Sequence, residues 1–102
     1  DAAVRAAYDH TVEEPSAENV GLLPARLQLI VAIGAYYGGD DEIADRASAE
    51  YVRELGVENA DPQAIAIRIR LLRETDHAQA RQLERAARSA RPDVDWDVLI
   101  GS

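Results

Sequence analysis

Apolar residues crowd into one stretch of this chain and thin out along another, and that contrast lays out its elements. Between Pro24 and Gly38 the residues Leu27, Leu29, Ile30, Val31, Ile33, Tyr36 and Tyr37 leave almost no polar face; only Arg26 and Gln28 are strongly polar. Proline suits the first helical position, because its missing N–H would be unpaired there in any case. A helix apolar on every side belongs where neighbours cover it, so 24–37 is predicted to be the central element. Gly38-Gly39-Asp40-Asp41 then reads as a break followed by a cap. From Asp41 to Leu55, Ile43, Ala47, Tyr51 and Leu55 recur every four residues. Glu42, Asp45, Arg46, Glu50, Arg53 and Glu54 fill the other face of this amphipathic helix, and Gly56 is its expected end.

The flanking segments carry weaker patterns. Asp1 can cap a helix over about 2–14, striped by Val4, Ala7, Tyr8 and Val12 and ended by Pro15. Asp61-Pro62 is a second start signal, for a helix over about 62–90. Its apolar row runs through Ile65, Ile69 and Leu72, then thins to alanine and Leu83, so a break fits near Thr75–His77. After Pro92, apolar residues alternate with aspartates: Val94, Trp96, Val98 and Ile100 against Asp93, Asp95 and Asp97. Period two predicts an extended tail with one buried face, and a short helix joining Trp96, Leu99 and Ile100 is the alternative. Either way Trp96 is an anchor for a groove, in this chain or a neighbour. The predicted fold is all-α: four main helices (about 2–14, 24–37, 41–55 and 62–90), a short anchoring segment, and one domain over 1–102.

Composition adds two constraints. Cysteine, methionine and phenylalanine are absent, which excludes disulfides, thiolate chemistry and cysteine-ligated metal. Much of the apolar fraction is alanine, which favours close helix–helix packing. The charge is split: residues 1–60 carry four Arg against twelve Asp/Glu, residues 62–92 carry seven against three, and lysine is absent. The net charge of −8 argues against general affinity for nucleic acid or anionic membrane. Codon bias in a GC-rich genome explains the acidity, and so does halophilic adaptation, since salt screens self-repulsion. No apolar run reaches the roughly 20 residues of a membrane span and no signal-peptide pattern opens the chain, so the expected compartment is the cytoplasm. The apolar excess of 24–37 and the charge split together predict a homo-oligomer.

The candidate chemistry is sparse. Asp40, Asp41, Glu42 and Asp45 form the densest acidic cluster, and a helix N-terminus collects such acids through its dipole. His10 and His77 are the only histidines; Asp76 could orient His77. No serine sits in a nucleophile elbow. The arginines of 62–92 suit carboxylate pairing within the chain or across a dimer, with an anionic ligand as the alternative. No metal site and no cofactor is implied, and any small-molecule ligand is unspecified.

Three resemblances bear on function. Residues 23–46 (Leu-Pro-Ala-Arg-Leu-Gln-Leu-Ile-Val-Ala-Ile-Gly-Ala-Tyr-Tyr-Gly-Gly-Asp-Asp-Glu-Ile-Ala-Asp-Arg) resemble the core of the carboxymuconolactone decarboxylase/alkylhydroperoxidase-like family. That family is all-helical and forms trimers or hexamers. Its redox members use two cysteines and a histidine, and Gly39, Glu42 and Arg46 stand at those positions here. The resemblance leaves Glu42 as an acid or base and removes the peroxidase chemistry. Arg26 to Tyr37 together with 71–79 is similar to helical chorismate mutases; Arg26 and Gln79 fit that pattern, while Tyr37 replaces a lysine that electrostatic catalysis there requires. Tyr51–Val57 followed by Asp61–Glu74 looks like the scaffold and recognition helices of winged-helix regulators, and would present Gln63, Arg68, Arg70 and Arg73 to DNA.

The leading expectation is a non-catalytic helical interaction domain, a degenerate relative of the carboxymuconolactone decarboxylase-like group. The alternatives are a DNA-binding regulator using about 49–74, and a small-molecule enzyme using Glu42, Arg26 and His77. The sequence leans against an enzyme.

Overall fold

In the computed structural model, which describes residues 18–101, every regular element is helical. A 3-10 turn at Val20–Leu22 leads into α1 (Ala25–Tyr37), α2 (Asp41–Asn59), α3 (Pro62–Thr75), α4 (His77–Ala90) and α5 (Trp96–Ile100). The helix expected over 2–14, with His10, lies outside the described residues.

The boundaries follow local chemistry. Pro24 stands just before α1 as its N-cap. At the other end the Gly38 N–H donates to the Gly34 carbonyl at 2.9 Å and the Asp40 N–H to the Ala35 carbonyl at 2.8 Å. Gly39 takes φ 85° to make that turn, a region glycine enters without steric cost. The Asp40 carboxylate then accepts from the Ile43 N–H at 3.2 Å and caps α2. Gly56, at φ 75° and ψ 163°, interrupts α2 where the sequence places its end, and one more turn runs on to Asn59. Asp61 accepts from the Gln63 N–H at 2.9 Å and opens α3.

The break near Thr75 is complete, so 62–90 is two helices. Asp76 leaves helical geometry (φ −151°, ψ 90°), and its carboxylate accepts from the Gln79 N–H at 3.1 Å. An aspartate that caps a helix satisfies donors that would otherwise be orphaned. The tail from Asp93 is not extended; it forms α5, where Asp95 accepts from the Val98 N–H at 3.3 Å. Trp96 and Ile100 are four residues apart, a spacing that satisfies period two and period 3.6 alike, and the Asp95 cap selects the helix.

The central helix is α3, which corrects the expectation for 24–37. Ala64, Ile65, Ala66, Ile67, Ile69, Leu71 and Leu72 are buried on α3, whereas α1 buries only Gln28, Val31 and Ala32. The physical reason is contact. α3 touches α1, α2, α4 and α5, so nearly its whole circumference is covered; α1 packs mainly along α2. The largest core cluster joins Tyr51, Ile65, Ile69, Ala87, Trp96 and Ile100. The groove for Trp96 therefore belongs to this chain, and its indole N–H donates to the Arg91 carbonyl at 3.0 Å. The Tyr51 hydroxyl accepts from the Asp61 N–H at 2.9 Å, tying α2 to the start of α3.

Candidate functional site

Most arginines of the basic segment are already engaged. Arg68 bonds to the Asp45 carboxylate on α2. Arg70 donates to the carbonyls of Ile100 at 2.8 Å and Leu99 at 2.7 Å, closing the end of α5. Its guanidinium also lies 6.0 Å from the centre of the Tyr36 ring. Arg73 pairs with Glu84 at 2.9 Å, and Arg88 bridges Glu84 at 3.2 Å and Asp97 at 2.6 Å. Arg91 donates to the Ala60 carbonyl. Hydrogen bonds that Arg88 donates to the Asp97 and Glu84 carboxylates raise its pKa above the ordinary value. Only Arg68–Asp45 joins the basic segment to the acidic one among the described ion pairs; the others stay within one half.

The four residues assigned to DNA contact thus divide. Gln63 is exposed, while Arg68, Arg70 and Arg73 are half-buried and bonded to this chain. On α3 only Gln63, Glu74 and Thr75 are exposed, so the helix leaves little cationic surface open.

Arg26, Glu42 and His77 are all exposed. Arg26 begins α1 and Glu42 begins α2, which places them at opposite ends of the α1–α2 hairpin; His77 begins α4. The structure does not gather them into one site. Among the described residues no group of His, Asp and Glu has the arrangement of a metal site. A cleft of about 380 Å³ runs between α2, α3 and α4, past Val52, Arg68, Leu72 and Leu83. A wider one of about 630 Å³ lies at the C-terminal end of α1, among Tyr36, Tyr37, Arg70, Arg73 and Glu74. Its cations are already bonded elsewhere, and Asp41 and Glu74 on its rim oppose an anion.

The feature that sequence reasoning missed is the outer face of α1. The inner face carries Val31, Ala32 and the fully buried Gln28, whose amide nitrogen reaches the carbonyls of Val20 and Gly21 at 3.4 Å each. Opposite it, Leu27, Ile30, Gly34 and Tyr37 follow one another at spacings of three, four and three residues. This is the spacing of a and d positions in helices that pair. Leu27 and Ile30 are half-buried, yet they pack against none of the described core clusters. Tyr37 is 75% exposed, and Leu22, just ahead of the helix, is 86% exposed. Gly34 is exposed and helical, and a Cβ built there would meet no atom within 4 Å. Neither backbone geometry nor packing within the described chain requires glycine at that place, although glycine in a helix interior costs about 1 kcal/mol relative to alanine. A mid-helix glycine inside an apolar run is the sequence signal that could have marked the face.

Charge frames it. Arg26 lies at one end and makes no ion pair among the described residues. Asp40, Asp41 and Glu42, all exposed, lie at the other.

The class defined by these observations is an all-α fold whose apolar first helix is incompletely covered by the described residues. No described helix is long and apolar enough to cross a membrane. No family profile, curated protein or solved structure matches the chain.

Proposed function

We propose that this chain is a non-catalytic helical interaction domain that assembles with copies of itself. The observation that carries the reading is the apolar outer face of α1, which the described part of the chain leaves without a core to pack on. Burying apolar surface releases about 25 cal/mol per Å², and exposed contiguous apolar patches mark interaction sites. The bonding of Arg68, Arg70 and Arg73 within the chain favours this reading over DNA contact. The separation of Arg26, Glu42 and His77 favours it over an enzyme.

Light scattering of the intact protein tests the reading. The wild type is expected to run as an oligomer and Ile30→Glu as a folded monomer, with circular dichroism confirming retained helix. An Ile30→Glu variant with unchanged mass would remove α1 from the interface.

A further inference from the structure

We infer that two copies pair through α1 in antiparallel fashion, with Ile30 of each seated over the partner's Gly34 and Arg26 of each facing the partner's acidic turn. The inference rests on the self-association proposed above and specifies its geometry.

An isologous interface needs a surface complementary to itself, and the order of residues on α1 meets that need in one orientation. Place the two-fold axis at the level of Ala32, with the helices antiparallel. Leu27 then lies against the partner's Tyr37, and Ile30 against the partner's Gly34. A large residue meets a vacant position at both central contacts, so the helices can approach closely. The same register brings Arg26 to the level of the partner's Gly38, within side-chain reach of the partner's Asp40, Asp41 and Glu42. Each copy supplies one cation without an ion pair among the described residues and one exposed acidic turn, so the complementarity occurs twice. A parallel pair would stack Arg26 on the partner's Arg26 and one acidic turn on the other. Like charges set against each other disfavour that arrangement.

The absence of cysteine gives a clean background for cross-linking the full chain. Leu27→Cys and Tyr37→Cys variants, mixed and oxidised, are expected to form the mixed disulfide as the main product. Leu27→Cys alone should not link to itself, because ten residues of helix separate the two positions by about 15 Å, beyond the span of a disulfide. Self-linking of Leu27→Cys as the main product would contradict this register and overturn the inference. An oligomer that forms no link from these positions would overturn this geometry and leave self-association standing. A strict monomer would overturn both.

Two further measurements separate an interface role from a structural one. Gly34→Ala is expected to raise the melting temperature of the monomeric form while weakening association at least about tenfold, an overpacking effect; stabilisation with unchanged association would remove Gly34 from the contact. Arg26→Glu and Glu42→Arg should each weaken association, and mixing the two should restore it, since both end contacts are then again of opposite sign. Failure of the mixture to recover would overturn the charge pairing.

Discussion

The two helices α1 and α3 invert the ranking that their sequences suggest. α1 is the more apolar, with Arg26 as its only charged residue, yet among the described elements it has fewer neighbours than α3 and buries just Gln28, Val31 and Ala32. α3 carries Arg68, Arg70 and Arg73, yet it is the core. The arginines do not oppose burial, because each guanidinium sits at the edge of the helix's contact and finds an acceptor: Asp45, the carbonyls of Leu99 and Ile100, or Glu84. Long cationic side chains bury their stems and keep their heads hydrogen-bonded. Burial is thus set by how many neighbours a helix touches. An apolar excess on a helix with few described neighbours is the premise of the self-association proposed above.

Substitutions at matched positions should separate the two helices most widely. Trp96→Ala, which empties the cavity against α3, is expected to cost about 3–5 kcal/mol, and Ile69→Ala about 2–5 kcal/mol. Ile30→Ala should cost the monomer no more than about 1 kcal/mol, nearer to the behaviour of a surface position. Urea denaturation at low protein concentration reads all three. Equal losses at Ile30 and Ile69 would break the comparison.

A smaller effect tests how α3 tolerates its charges. Arg70→Met should cost about 1.5–3 kcal/mol, the range for hydrogen bonds to a charged group. The loss should appear as fraying of α5, visible in the fluorescence of Trp96. Gly34→Ala acts on the other helix and in the other direction, adding about 1 kcal/mol to monomer stability, measured by thermal unfolding at low concentration.

The smallest effect is electrostatic. The Arg53 guanidinium, 2.6 Å from the Glu50 carboxylate, holds its pKa below the ordinary glutamate value, and Arg46 adds to this. The unfolded chain therefore binds the proton more readily than the folded one, so stability from this pair is present above about pH 4.3. It is lost as pH falls through the lower folded value. Glu50 is half-buried but Arg53 is exposed, and an ion pair with a solvated partner is worth little. Glu50→Gln should slightly flatten the acid limb of a melting-temperature profile at low salt and leave the profile unchanged in high salt.

Much of the helical layout was legible because it is local. Asp40, Gly56 and Asp61 act through neighbours a few residues away, and those letters announce caps and breaks in any context. Trp96 was legible as an anchor, while its helix was not, since a four-residue spacing fits both periods. The placement of α1 was illegible for a different reason: whether Leu27 and Ile30 find cover depends on the surface that distant segments have to spare. The arginines of α3 were legible in kind, since the charge split predicts carboxylate pairing, but their partners were not. Read along the chain they form a cationic row, and only the fold brings Asp45 and the end of α5 to them.

Hydrogen exchange at a series of protein concentrations tests the central claim most directly. Cover by a second copy obeys mass action, whereas cover by the chain itself does not. Amides of α1 from Leu27 to Tyr37 are expected to gain protection as concentration rises, while those of α3 from Ile65 to Leu72 keep theirs unchanged. Protection of α1 that is the same at every concentration would contradict the account.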